Sequence, residues 1–269
     1  MTSGTAVIDA TPRDGSSTRT VSRSRVLFGS FYWLAWMIFS RRSVVTTGVS
    51  RELESLGVGA LRLVGLSSIL VGLITTFQVA YQLARYGAEV VSGQAVGWFA
   101  WRELGPIVVA VLVVSRSASA ITGELAAMSA NGEIDALHAM GLDPIKYLIT
   151  PKLAALLIAI PALTVLADGL IALGGWIGST FFLRFNTLLY LEELRNAVTM
   201  RDFYIGIAKS FIFALIIAVV SSDIGLNVSR RVGAIGEAAS RSVVLCLLGV
   251  LAADTFVNAI FYFIPTLVY

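Results

Sequence analysis

Five stretches of this chain, roughly 61–83, 99–128, 147–180, 203–226 and 243–264, are apolar over 20 or more residues each. A helix rises ~1.5 Å per residue, so ~20 residues suffice to cross a hydrocarbon core of ~30 Å. A water-soluble chain of 269 residues has nowhere to bury five such runs. Hydrophobic residues make up 57% and charged residues 14%, with a mean hydropathy of +0.82, where soluble domains sit near ~45–50% and ~25%. Disorder and coiled coil are excluded by the same figures. No window alternates with period two, which excludes a membrane β-barrel. The fold class that remains is an all-α integral membrane protein with five transmembrane helices. The second and third runs exceed one crossing and must tilt, kink or project, with Pro106 and Pro161 as candidate kinks.

Ahead of the spans, residues 1–25 form a polar Ser/Thr/Arg-rich arm, expected to be disordered and cytoplasmic. The apolar run 26–39 reaches only ~21 Å. Tyr32, Trp33 and Trp36 suit a helix lying in the headgroup region, and Arg41 and Arg42 stand where a signal peptide would need small residues. Residues 26–60 thus read as interfacial helix and connector, and 61–269 as the five-span domain. With the N-terminus inside, the inner segments hold the eight arginines up to Arg62, then Lys146 and Lys152, then Arg230, Arg231 and Arg241. The outer segments hold four, Arg85, Arg184, Arg195 and Arg201. That asymmetry predicts N-in, C-out, and the membrane is expected to be a cell's inner (plasma) membrane. The outer residues 184–202, mixed in charge, read as a solvated face.

Chemistry is bounded mainly by what the sequence lacks. One cysteine, Cys246, and one histidine, His138, allow no disulfide framework and no Cys/His metal site. The net charge of +3 is placed at the membrane surface, so nucleic acid is not a partner. There is no H-E-x-x-H, no G-x-S-x-G and no G-x-x-x-x-G-K-[ST]. No catalytic residues are expected, and no cofactor in this chain; ATP-driven transport would need the nucleotide bound by a separate subunit.

The most informative segment runs from Arg102 to Lys152. Ser115, Ser119, Gly123 and Ala127 recur every four residues, a small-residue face suited to close helix packing, and Gly174 and Gly178 form a shorter one. Asn131 then suits an N-cap, with Glu133 and Asp135 in the first turn and Ile134, Leu137 and Met140 as an apolar stripe; Gly141 and Pro144 end the helix. Carboxylates on its polar face favour docking of a soluble partner over lying on anionic lipid.

The motifs E-L-G-P, R-x-x-S-A-x-x-x-E-L-x-x-M, E-I-D-A-L-x-x-M-G-x-x-P and the pair Pro151–Lys152 resemble the MlaE/YrbE permeases over about residues 50–265. These are the membrane subunits of MCE-type lipid ABC transporters. The resemblance implies a homodimer, a cytoplasmic ABC ATPase, an MCE-domain protein on the outer face and a lipid substrate, expected to be phospholipid. It also makes 131–141 the coupling helix between spans two and three, with Glu133, Ile134, Asp135, Leu137, Met140 and Gly141 meeting the ATPase. Asn131, Gly132 and Glu133 stand where the family usually has Thr, Glu and Gln. Finally, it places Tyr86 and Glu103 at the outward mouth of a lipid path.

Ionisable groups inside spans are costly and need partners. They are Glu103, Arg116, Glu124, Asp168, Lys209, Asp223 and Asp254. Lys209 and Asp254 differ in depth by only ~6 Å, within reach of a lysine side chain. Arg116 and Glu124 are two turns apart and need other partners. These carboxylates define the alternative reading, an ion-coupled secondary transporter, against which no internal repeat is visible. The topology makes a direct prediction: a cysteine at position 195 should be labelled by an impermeant reagent from outside, and one at position 231 only after permeabilisation. Outside labelling at 231 would overturn N-in.

Overall fold

In a computed structural model, the chain is described at residue 29 and over residues 43–87, 92–183, 185–228 and 233–263. The expected arm and nearly all of the interfacial helix lie outside the described residues. Five helices are long and apolar enough to cross a membrane: α1 Gly48–Ala84, α2 Gly93–Ala130, α4 Ile145–Phe182, α6 Met200–Leu226 and α7 Ala234–Phe261. Two shorter ones complete the fold, α3 Glu133–Ala139 and α5 Thr187–Ala197. No strand occurs among the described residues.

α1, α2 and α4 are 37, 38 and 38 residues long, ~55 Å each, far more than one hydrocarbon crossing. Helix begins at Ser43 and runs on through a π turn at Leu53–Gly57 and a 3-10 turn at Val58–Ala60. The connector expected to reach residue 60 is therefore helical from 43 and continuous with span one. The reason is burial: Leu56 and Ala60 are 5% and 0% exposed and continue the packed face of the span downward.

Prolines explain two further π turns. Pro106 supplies no N–H, and its ring opposes the carbonyl four residues back, Arg102; a π turn at Ala100–Leu104 absorbs this. Pro151 stands in the same relation to the π turn Ile145–Ile149. Pro161, by contrast, sits inside the α-helix Thr150–Ile177 with no change of helix type.

α1 and α4 make the closest crossing. The buried face of α1 reads Ala60, Val64, Ser68, Gly72, Thr76, Ala80, a small or β-branched residue every fourth position. A Cβ added to Gly72 would fall on the Ile171 carbonyl of α4, and one added to Gly174 on the Ile69 carbonyl of α1. The backbones thus touch through two reciprocal glycines, and a Cβ added to Gly178 would meet the Thr76 side chain at 3.4 Å. The expected seam at Gly174 and Gly178 is where the helices meet.

The longer seam on α2 is not. A Cβ at Gly123 would meet nothing within 4 Å, and Ser115 is exposed. α2 buries the neighbouring face instead, with Ile121, Thr122, Leu125 and Ala126. Thr122 explains the choice of face: its hydroxyl reaches the Ser221 carbonyl of α6 at 3.0 Å and Ser242 Oγ of α7 at 2.7 Å. Phe213, Ile217, Leu153, Leu156 and Ile160 fill the centre of the bundle.

The outer segment 184–202 is also not simply solvated. Asn186 caps α5, its Oδ1 accepting from Leu188 N at 2.9 Å. Tyr190, 3% exposed, wedges toward Gly175, and Gly93 and Gly97 of α2 leave room for Tyr190 and Leu194. α5 is an outer cap seated on the bundle.

The two glycine positions give opposite expectations. Gly72→Leu forces α1 and α4 apart and should destabilise the detergent-solubilised protein by ~3 kcal/mol or more, seen as a large fall in melting temperature. Gly123→Leu should leave the fold of the protomer intact. Equal tolerance of both would refute the reciprocal-glycine crossing.

Candidate functional site

Two buried lysines organise the polar interior. On α6, Lys209 is fully buried, and its Nζ donates to Glu103 Oε1 and Oε2 of α2 at 2.9 Å each and to Asn258 Oδ1 of α7 at 2.8 Å. Asp254 Oδ1 lies 2.9 Å from the same nitrogen, as an ion pair without hydrogen-bond alignment. Asn258 then donates its Nδ2 to Glu103 Oε2 and Asp254 Oδ2, at 3.2 Å each. One ammonium thus ties two carboxylates from two other helices, and an amide closes the ring. The π turn before Pro106 carries Glu103, so the local irregularity of α2 lies where this side chain enters the cluster. Arg102 beside it turns to Asp202 at 3.6 Å.

The second cluster lies at the other end of the bundle. Lys152 of α4, 2% exposed, donates to Glu52 of α1 and Glu124 of α2 at 2.7 Å each. Lys152, counted as a loop cation in the sequence, is therefore a buried helix residue; one vote leaves the inner charge count and its direction stands. Glu124 finds in Lys152 the partner its sequence position demanded.

The expected Lys209–Asp254 pair forms, with Glu103 as an additional member. Glu103 belongs to this ion cluster, its side chain 21% exposed, while Tyr86 is 83% exposed and its hydroxyl has no hydrogen bond among the described residues. No contact joins the two. Asp223 accepts from Asn227 Nδ2 at 3.1 Å. Asp168, 2% exposed, has an Oδ1 with no hydrogen-bond partner among the described residues, and it occupies the space that a Cβ on Gly105 would fill. Gly105, part of the E-L-G-P motif, is what allows a carboxyl group there. Arg116 is exposed and lies over Gly59 of α1.

At the inner end, α2 and α3 are joined by two residues only. Asn131 is the last residue of α2's cap, not the N-cap of α3, and Gly132 makes the turn at φ +76°. Asn–Gly is a turn pair: a left-handed residue between two helices costs glycine little. Asn131 Nδ2 instead donates to Glu133 Oε1 at 3.3 Å. α3 ends in a Schellman motif, with Leu142 N on the Leu137 carbonyl at 2.9 Å, Gly141 N on the His138 carbonyl at 3.0 Å and Gly141 at φ +74°.

The apolar stripe of α3 does not all face away from the spans. Ile134 is 8% exposed and belongs to the bundle core, and Leu137 is half-buried. Only Met140, 66% exposed, is free to be covered. An apolar side chain beside an apolar bundle end packs there, so Ile134 anchors the helix. Glu133, Asp135, His138 and Met140 form its outward surface.

The family model Permease MlaE matches residues 49–260. The chain belongs to the MlaE permease family. A probable ABC transporter permease protein of Rickettsia typhi is 27% identical over 86% of this chain and 89% of its own length. One from Synechocystis is 28% identical over 77% and 79%. The chloroplast protein TRIGALACTOSYLDIACYLGLYCEROL 1 of Arabidopsis thaliana is 28% identical over 88% of this chain and 64% of its own. As an MlaE permease the chain is a multi-pass transport subunit, and an ABC permease works with an ATPase. Both lysine clusters and α3 fall within the matched region.

Sequence reasoning missed Glu52, Lys152 and Asn258 as cluster members. Asn258 stands four residues after Asp254, on the same helix face, and that spacing was available to be read. Removing one member of a buried ion cluster leaves the others uncompensated, at ~3–5 kcal/mol. Lys209→Met should therefore lower the melting temperature of this permease strongly. Adding Glu103→Gln and Asp254→Asn to it should recover most of the loss. A triple variant no more stable than Lys209→Met would show that the cluster is not one electrostatic unit.

Proposed function

We propose that this permease moves lipids, phospholipids foremost, between membranes of the cell envelope as a homodimer in the inner membrane. Its N-terminus is cytoplasmic, a separate ABC ATPase is seated on α3, and an MCE-domain protein meets the outer face. The observation that carries the reading is α3. It is a short helix with an outward acidic and Met surface, locked at both ends and rooted in the core, at the point where two spans turn. The lipid cargo is supported by family membership and by the name of the Arabidopsis relative.

The geometry supplies a route for the stroke. A force on Met140 and Glu133 reaches α2 through the two-residue turn at Gly132 and the core through Ile134. A little higher, the Lys152 cluster ties α2 to α1 and α4, so the inner ends of three spans move together. The π turns at Leu53–Gly57 and Ile145–Ile149 interrupt two of these helices near the cluster and offer places to flex. In this reading ATP is held by the partner, and no residue of this chain touches it.

Because Leu137 is half-buried, the clean test uses outward residues. Met140→Ala combined with Asp135→Arg should leave the permease folded. Losing one buried Met contact, ~1.5–3 kcal/mol, weakens docking ~10- to 100-fold. The ATPase should be lost on purification, along with lipid-stimulated ATP hydrolysis. Retention of the ATPase at unchanged affinity would overturn the assignment of α3 as the coupling element.

A further inference from the structure

Arg116 is the one intramembrane cation named above that the ion clusters leave out. Its guanidinium lies flat against α1 at Gly59: an ideal Cβ there would sit 2.7 Å from Arg116 Cζ and closer still to its terminal nitrogens. Arg62 follows Gly59 by three residues, on the same face of α1, and is exposed as well. Among the described residues, no carboxylate pairs with either arginine. Two exposed cations thus belong to one turn of α1, Arg116 lying over Gly59 and Arg62 three residues further on.

Their depth is informative. Arg62 lies 22 residues below the outer end of α1 at Ala84, and Arg116 lies 23 residues from the outer end of α2 at Gly93. These are ~33 and ~35 Å, just past a hydrocarbon core of ~30 Å measured from the outer ends. With the core set at those outer ends, both guanidinium groups fall at the inner headgroup level. Directly above Arg62, α1 turns outward Leu66, Leu70 and Ile74, exposed by 65%, 49% and 66%. That apolar strip is ~18 Å long from Arg62 to Ile74, about the depth of one leaflet. A paired cation at its foot and an uncharged wall above it match one chemistry, an anionic phosphate carrying acyl chains.

We propose that Arg62 and Arg116 hold the phosphate of an inner-leaflet anionic phospholipid, with its acyl chain along Leu66, Leu70 and Ile74. Arginine suits the task because its planar fork meets phosphate oxygens in pairs. Gly59 contributes by having no side chain, which lets the guanidinium settle against the helix with its edge free. The site stands whether or not lipid is the transported cargo, so loss of lipid transfer alone does not bear on it.

The test uses the purified full-length permease in detergent, titrated with dioleoyl phosphatidylglycerol and followed by native mass spectrometry. R116Q and R62Q should each weaken saturable lipid binding roughly tenfold, equivalent to ~1.4 kcal/mol. R116K, which keeps the charge but loses the fork, should fall between. Millimolar inorganic phosphate should not displace the lipid; displacement would make this a free-anion site and overturn the proposal. Unchanged lipid affinity in R116Q and R62Q would overturn it too. If the variants instead change the oligomeric state while lipid binding holds, the arginines serve a second copy of the chain. R62Q, at the exposed rim of the bundle, carries the test if R116Q fails to assemble.

Discussion

An ammonium group has no stable place among apolar helices unless carboxylates come to it. That requirement, met twice, fixes how this bundle is put together. Lys209 draws α2 and α7 onto α6 in one half of the bundle, and Lys152 draws α1 and α2 onto α4 at the inner end. α2 contributes an acid to each cluster, Glu103 and Glu124, separated by 21 residues or ~32 Å along the helix. It is the element common to both, and it continues into α3. The polar skeleton of the permease is thus a single helix pinned near both ends, with the exposed acidic face of α3 attached.

Apolar packing does the complementary work where charge is absent. α1 and α4 touch backbone to backbone through Gly72 and Gly174, a contact that in lipid cannot be driven by hydrophobic exclusion and must come from close fit. Such a crossing holds two rods at one point and leaves their ends free to change angle. Above it, Tyr190 of the outer cap is wedged toward Gly175; below it, the Lys152 cluster restrains the inner ends. The reciprocal glycines suit a pivot, with the Tyr190 wedge and the Lys152 cluster as clasps on either side of it.

The spans, the short inner helix and the family were legible because they rest on hydropathy, turn chemistry and contiguous motifs. What failed to show was phase. The α2 series Ser115, Ser119, Gly123, Ala127 has the spacing of a packing face, yet Thr122 finds hydroxyl and carbonyl partners on α6 and α7 and turns the helix by roughly one residue. A longer small-residue series, Ala60 to Ala80, stood in α1 and is the real seam. Spacing identifies that a face exists, whereas the choice between faces depends on partners elsewhere in the chain. Lys152 was missed for a related reason. Beside a loop it counts as a surface cation, and only the packing of α4 against Glu52 of α1 and Glu124 of α2 makes it an interior one.

The same distinction bears on α3, where the stripe Ile134, Leu137, Met140 had two possible partners. Ile134 sits two residues after the tight turn at Gly132, so the geometry of that turn points it at the core from which α2 has just emerged. Met140, at the far end and just before the glycine cap, is carried beyond the edge of the bundle. A seven-residue helix therefore serves both sides: its first turn is held by the permease and its last is offered outward. A helix lying loosely on the surface would yield to a partner's motion without passing it on. One with Ile134 buried and both ends set by left-handed glycines must transmit that motion to α2. The burial that removes Ile134 from the outward surface is thus what would let α3 serve as the coupling element proposed above.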